Sequence, residues 1–260
     1  ANADESIWDI MKRCALTESE DIKLKKYVED LGMIYLSTPF SRAAADRLEK
    51  MNVQAYKIGS GECNNYPLIK HITSFGKPII LSTGMNNIQS ISKSVEIFKK
   101  ANIDFALLHT TSIYPTPYDK VRLGAMDDLK KSFPNTVMGL SDHSVGNFTS
   151  FAAIPLGASI LEKHFTSEKK WLGPDIQVSI DPKELHELII GSKAIYESLG
   201  GHKTILGEEQ PTINFAYASV VSIDDIKKGE VLSKENIWVK RPGTSKIQAM
   251  DYLKLLGKTA

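Results

Sequence analysis

The sequence predicts an α/β protein: a (β/α)8 TIM-type barrel lacking its first two βα units, followed by a small β-rich module. Three observations carry that reading. Six short apolar runs alternate with helical stretches at a spacing of roughly 25 residues, the mark of βα units and a parallel sheet. The runs are continuously apolar instead of alternating, as strands covered on both faces are. Every run also ends in a polar cluster. A doubly wound open sheet gathers its site at one switch point, whereas a barrel presents residues from the C-terminal end of each strand, so polar groups at every end favour the barrel.

In chain order, Thr17-Glu18-Ser19-Glu20 reads as a capping box opening a helix, with Ile22, Val28 and Leu31 on its apolar face and Gly32 as its stop. The first strand is predicted at 33–36, before Ser37-Thr38-Pro39, and a helix near 42–51 follows. The second strand, 54–58, runs into Gly59-Ser60-Gly61-Glu62. Residues 78–81 lead to Ser82-Thr83-Gly84-Met85 and then to a helix from about Ile88 to Lys100. Residues 105–108 end in His109-Thr110-Thr111-Ser112. Residues 136–138 lead into Gly139-Leu140-Ser141-Asp142-His143, and 158–161 into Glu162-Lys163-His164. A second capping box, Asp181-Pro182-Lys183-Glu184, opens a helix reaching Gly200-Gly201, with Leu185, Leu188, Ile189, Ile195 and Leu199 as its stripe. Six strands are two short of a barrel, and by elimination the missing βα units are expected to precede residue 1.

The pattern changes after Gly201. The barrel unit is placed at 1–201, a linker at 202–217, and a module of short strands and Lys-Gly turns at 218–260 that reads as unfinished at its end.

Composition narrows the function classes. Of 260 residues, 42% are apolar and 24% charged, ordinary for a soluble globular chain. A net charge of +1 gives no general attraction to nucleic acid or anionic membrane, so any anion site must be local. Two cysteines, Cys14 and Cys63, make no disulfide framework and lack metal or redox spacing; a reducing compartment is expected. The opening residues lack a basic patch followed by an apolar core, and no window approaches the run of about 18 apolar residues that a membrane span needs. These features predict a soluble, cytoplasmic protein.

The strand-end clusters suggest chemistry. His143 and His164 each sit where a strand ends, so two imidazoles on neighbouring strands are placed to share a divalent cation, with Asp142, Glu162, Ser141 and Thr166 beside them. Lys57 with Thr38, Ser60, Ser82, Ser112 and Ser141 offers one cation and several hydroxyls around one mouth, a set suited to phosphate. Serine and threonine are also simply common at strand ends. No G-x-x-x-x-G-K-[ST] or G-x-G-x-x-G string is present, which disfavours nucleotide sites of those types.

Six strings, Ser-Thr-Pro-Phe-Ser (37–41), Tyr-Lys-Ile-Gly-Ser-Gly-Glu (56–62), Leu-Ser-Thr-Gly-Met (81–85), Gly-Leu-Ser-Asp-His (139–143), Glu-Lys-His-Phe-Thr (162–166) and Gly-Pro-Asp (173–175), resemble the sialic acid synthases. These are the bacterial N-acetylneuraminate synthases and their legionaminate and pseudaminate relatives. Asp225 to Glu230 and Lys240-Arg241-Pro242-Gly243 resemble that family's antifreeze-like domain. The resemblance implies condensation of phosphoenolpyruvate with the open-chain aldehyde of N-acetylmannosamine or a related diacetamido hexose, giving a nine-carbon 2-keto acid and phosphate. It implies a divalent ion, usually Mn²⁺ with Mg²⁺ or Co²⁺ as substitutes, on His143 and His164. Lys57, Ser60, Ser82 and Ser141, with Thr38 beside them, would hold phosphoenolpyruvate. Glu62, Tyr114 and Asp175 would line the aminosugar, Glu62 handling protons. Arg241 would reach into the partner subunit's barrel, implying a domain-swapped homodimer.

Three departures stand out. The family's first two barrel strands have no counterpart, Ser112 stands where the family often has a longer asparagine, and Ala218 replaces an arginine before Ser219. Two alternatives stay open: another phosphoenolpyruvate–aldose condensing synthase, which the C-terminal module argues against, and a catalytically inactive sugar-binding fragment.

Overall fold

The computed structural model describes residues 6–243 and 245–260; residues 1–5, within the stretch read as carrying no signal peptide, and Thr244, in the last predicted turn, lie outside the described residues. The chain divides into two compact units, Ala1–Leu199 and Gly200–Ala260.

The first unit begins with three helices: α1 (Ile7–Cys14), α2 (Glu18–Asp30) and α3 (Arg42–Lys50). Five strands follow: β1 (Tyr56–Ile58), β2 (Ile79–Ser82), β3 (Phe105–Thr110), β4 (Val137–Asp142) and β5 (Ile160–Lys163). Between them run α4 (Tyr66–Thr73), α5 (Ile88–Lys100), α6 (Tyr118–Val121) with α7 (Ala125–Ser132), and α8 (Phe148–Ala153); α9 (Pro182–Ser198) closes the unit. The sheet is parallel throughout in the order β1-β2-β3-β4-β5. Each strand thus pairs with the next through a helical crossover, as βα units require.

The caps act as the sequence foretells. Thr17 and Glu20 satisfy each other's backbone amides at the start of α2, and Asp181 and Glu184 do the same at α9. Apolar side chains between sheet and helices, among them Tyr56, Ile58, Ile69, Ile72, Leu81, Phe98 and Leu107, form one buried cluster. Gly139 is obligatory by close approach: a Cβ there would lie 2.4 Å from the Ile160 carbonyl and 2.5 Å from Leu108 Cδ2. It lets β4 and β5 close together just below the polar strand ends.

Several expectations are corrected. Residues 33–36 are not a strand: Met33, Ile34 and Leu36 are exposed, and the segment's one backbone tie to β1 is a long bond from Lys57 N–H to the Ser37 carbonyl, 3.4 Å. Tyr35 alone is buried, its phenol donating to Asp21. Among the described residues the sheet therefore has five strands, not the six expected of a barrel lacking two βα units, and it curls into a half-barrel. On α2, Val28 packs against the core while Ile22 and Leu31 are exposed; the helix is held by the Asp21 carboxylate, which Arg47 meets at 2.6 Å. On α9, Leu188 is buried but Ile189 faces outward, as does Leu199 just past its end.

In the second unit the segment read as a linker contains a helix, α10 (Gln210–Ala216), with proline in its first turn where its missing N–H costs nothing. Strands β6 (Ser219–Ser222) and β7 (Ile237–Lys240) pair antiparallel, and α11 (Tyr252–Leu255) completes a small core of Val220, Ile237 and Tyr252. Cys14 is exposed and Cys63 buried, both as free thiols. Among the described residues, no helix is long and apolar enough to cross a membrane.

Candidate functional site

Pleating decides which side chains meet, because alternate residues of a strand face opposite sides of the sheet. On β1 this turns Lys57 inward, where its ammonium donates to Ser82 Oγ on β2 at 2.8 Å. It also pairs with Glu162 Oε2 on β5 at 3.3 Å. From β4, Ser141 Oγ donates to the other Glu162 oxygen at 2.9 Å. Strand ends that are far apart in the sheet thus converge on one carboxylate. Burial pushes the Lys57 ammonium below its ordinary pKa, against the pull of the Glu162 charge. Thr38 and Ser37 join Lys57, Ile160, Leu161 and Glu162 around a pocket of about 470 Å³.

Beside this group lies a hydroxyl cluster. The Gly84 amide donates to Ser60 Oγ at 3.0 Å, and Asn86 Nδ2 donates to the Ser60 carbonyl at 3.0 Å. A Cβ on Gly84 would lie 2.5 Å from Ser112 Oγ and 2.9 Å from Ser60 Oγ, so both hydroxyls press on the one backbone position that has no side chain.

Two residues beyond Ser141, on the same face, stands His143. Its Nδ1 is 2.8 Å from the Thr111 carbonyl. A carbonyl only accepts, so Nδ1 carries the proton and Nε2 keeps its lone pair, to which the Tyr114 hydroxyl, 3.1 Å away, donates. Burial pushes the His143 pKa down, opposed by that Thr111 bond, and so favours the neutral ring. The His164 ring lies 5.3 Å from the His143 ring, centroid to centroid, and Tyr114 contacts both. His164 Nδ1 is 3.7 Å from Asp175. Burial raises the Tyr114 pKa, with the Asp175 and Glu162 charges adding to it, so the phenol stays a donor. A neutral imidazole with a fixed tautomer, its ring 5.3 Å from a second imidazole, is the type of ligand a divalent cation takes, and Tyr114 occupies its Nε2 lone pair here. Among the described residues, no group of three or more His, Cys, Asp or Glu side chains is arranged to hold a metal ion.

The structure therefore gathers Lys57, Ser60, Ser82, Ser112, Tyr114, Ser141, His143 and His164 around the strand ends, with Thr38 in the pocket of Lys57 and Asp175 beside His164. Glu62 is differently engaged: its carboxylate accepts from Asn65 at 2.5 Å, beside the start of α4. Arg241 is exposed after β7 in the second unit. Two supposed companions of the histidines are corrected. Asp142 faces the opposite side of the sheet, because it is one residue out of phase with His143, and it binds Thr149, Ser150 and Lys163 there. Thr166 spends its hydroxyl on the backbone of Glu168. The sequence reading missed three contributions: Glu162 as the counter-charge of Lys57, Gly84 as the seat of the two hydroxyls, and the Thr111 carbonyl that fixes the tautomer. Only the first left a signal, since Glu162 is two residues before His164 and so shares its face.

Comparison with known proteins shows the family. Residues 1–204 match the NeuB family and residues 217–260 match the SAF domain. The chain is 39% identical over 263 residues to an N,N'-diacetyllegionaminic acid synthase of Campylobacter jejuni, covering 99% of this chain and 78% of that one. It is 32% identical over 237 residues to the human N-acetylneuraminate-9-phosphate synthase, covering 91% and 66% respectively. Among solved structures it resembles an N-acetylneuraminic acid synthetase from Leptospira borgpetersenii in complex with citrate, with a TM-score of 0.74, 32% identity, and 79% of this chain and 72% of that chain covered. This chain belongs to the NeuB family and carries a SAF domain after its α/β unit.

Proposed function

We propose that the protein condenses phosphoenolpyruvate with the open-chain form of an N-acetylated aminohexose, giving a nine-carbon sialic-acid-type 2-keto acid and inorganic phosphate. The sugar is N-acetylmannosamine or a 2,4-diacetamido-trideoxyhexose. Relatives named as synthases of legionaminic and neuraminic acids support the reaction class. The observation that carries the reading is the spacing at the end of β4: Ser141, which shares the Glu162 carboxylate with Lys57, is two residues from His143, in the imidazole pair, on one face. An anionic substrate and an aldehyde held at those two places lie side by side.

In balanced form, C3 of phosphoenolpyruvate bonds to the aldehyde carbon, whose oxygen takes up a proton. A water oxygen adds at C2 and becomes the keto oxygen as the C2–O bond to phosphate breaks; of the water's two protons, one balances that taken up by the aldehyde oxygen and the other leaves with the phosphate. Lys57, Ser60, Ser82, Ser112 and Ser141, with Thr38 beside them, hold the phosphate and carboxylate of phosphoenolpyruvate. Arrival of that anion displaces Glu162 from Lys57, exchanging one charge partner for another. Tyr114 and Asp175 line the sugar side, and Glu62 handles protons once it turns from Asn65. A divalent ion on His143 and His164, Mn²⁺ first among the candidates, would supply Lewis-acid polarisation of the aldehyde carbonyl. The enzyme acts as a domain-swapped homodimer in which Arg241 of one protomer serves the partner's sugar site; its exposure beside Pro242 and Gly243 is consistent with that role.

The test is phosphate release from phosphoenolpyruvate with Mn²⁺ and a panel of N-acetylated hexoses. Turnover with at least one of them is expected, and His143→Ala and His164→Ala should each abolish it while the circular dichroism spectrum stays unchanged. Absence of phosphate release with every hexose sinks the proposal; full activity in either histidine variant removes the two-histidine site.

A further inference from the structure

We propose that Asp142 and Lys163 form a clasp on the far face of the sheet that sets the spacing of the two imidazoles and thereby the affinity of the site for a divalent cation. The proposal rests on the reading that His143 and His164 hold that cation. Asp142 and Lys163 are register partners in the parallel pairing of β4 with β5, and each immediately precedes one of the histidines. Pleating turns the pair outward where the histidines turn inward. Their side chains are almost wholly buried, 1% and 3% exposed, and Lys163 Nζ lies 3.2 Å from Asp142 Oδ2.

The pair's other bonds hold it from α8 and from the chain just past His143. Thr149 and Ser150 of α8 donate to Asp142 Oδ2 at 2.6 and 2.7 Å. The Ser144 amide donates to Asp142 Oδ1 at 2.9 Å, and Lys163 Nζ donates to the Ser144 carbonyl at 2.7 Å. Ser144 is the residue after His143, so the peptide units flanking that histidine are tied to the strand that carries His164. The hydrogen bonds of Asp142 and Lys163 go to neither imidazole and neither residue lines the pocket of Lys57, although the Asp142 charge is felt at His143; they are positioning residues. A buried, hydrogen-bonded ion pair is a poor choice for stability alone, because well-packed apolar residues often serve as well, but it fixes one geometry where apolar packing tolerates several.

The experiment measures Mn²⁺ binding from the electron paramagnetic resonance signal of the free ion. It also records the imidazole ¹⁵N signals of metal-free protein labelled at histidine. Asp142→Asn should bind Mn²⁺ about tenfold or more weakly, the size of effect seen when partners that orient metal ligands are lost. It should shift the signals of His143 and His164 while leaving those of His71 and His186 in place. Ser150→Ala, which removes one bond from Asp142, should weaken binding by about two- to threefold, and gives a reading even where Asp142→Asn fails to fold. A folded Asp142→Asn or Ser150→Ala protein with parental Mn²⁺ affinity and unmoved imidazole signals overturns the clasp. Parental protein that leaves all Mn²⁺ free overturns the metal reading and the affinity claim with it, and the imidazole signals then decide separately whether the pair positions the rings.

Discussion

The ammonium of Lys57 lies 3.3 Å from a carboxylate oxygen of Glu162, although β1 and β5, which carry them, are the two outermost strands of the sheet. Only a curled sheet brings its edges into ion-pair distance, and the pocket lined by Leu36, Thr38, Lys57, Ile160 and Glu162 is the space the curl encloses. The pair also stores the positive charge that an incoming anion would claim, in a setting where burial makes an unpartnered ammonium costly.

Replacing Lys57 by methionine keeps the side-chain bulk and removes that charge. Charge-assisted hydrogen bonds are worth about 1.5–3 kcal/mol, so kcat/KM for phosphoenolpyruvate should fall by about 10- to 100-fold. Ser82→Ala, which removes one neutral acceptor of the same lysine, should cost about fivefold. Steady-state phosphate release at varied phosphoenolpyruvate checks both, and an unchanged KM in the Lys57 variant would place the anion elsewhere.

Gly84 should tolerate no side chain. A methyl group 2.5 Å from Ser112 Oγ and 2.9 Å from Ser60 Oγ forces both hydroxyls aside. Gly84→Ala is expected to raise the KM for phosphoenolpyruvate by about tenfold, while overpacking lowers stability by about 1–3 kcal/mol. Urea titration reads the second effect. A variant with parental KM would show that the hydroxyl cluster is not part of the anion site.

His109 gives the protein an acid-sensitive position outside the site. Its ring is buried and its Nε2 donates to the Val121 carbonyl at 2.7 Å. Burial pushes its pKa down; the Val121 bond opposes this, and Arg122 adds to the depression. A folded-state pKa below the unfolded value means that the unfolded chain takes up the proton first. The stability linked to His109 is therefore fully present above about pH 6.5 and is lost as pH falls through the folded-state pKa, by up to about 1.4 kcal/mol per pH unit. His143, depressed for the same reason, contributes with the same sign. Urea midpoints at pH 7 and pH 5.5 should differ less in His109→Gln than in the parent; equal differences would rule the linkage out.

The helix signals were legible because they are local. The capping boxes at Thr17 and Asp181 need only residues three positions apart, and both form as read. The residues at the strand ends were legible for a similar reason: a run of apolar residues followed by Ser, Thr or His marks the end of a buried strand wherever its neighbours lie. The failure at 33–36 has the opposite cause. Its apolar pattern matches that of the other runs, but a strand exists only where a neighbour offers a row of amides and carbonyls, and β1 supplies a single long bond at Ser37.

Local pattern by itself thus determined the alternation of strands and helices, the caps, and the residue types that collect at the mouth, including both histidines and Lys57. Tertiary structure alone decided which of those residues face one another. Glu162 meets Lys57 because the sheet curls, Asp142 leaves the histidines because the pleat turns it outward, and the His143 tautomer is set by a carbonyl 32 residues away in sequence. Periodicity tells a side chain which face it takes; only the closing of the chain in space tells it what waits there.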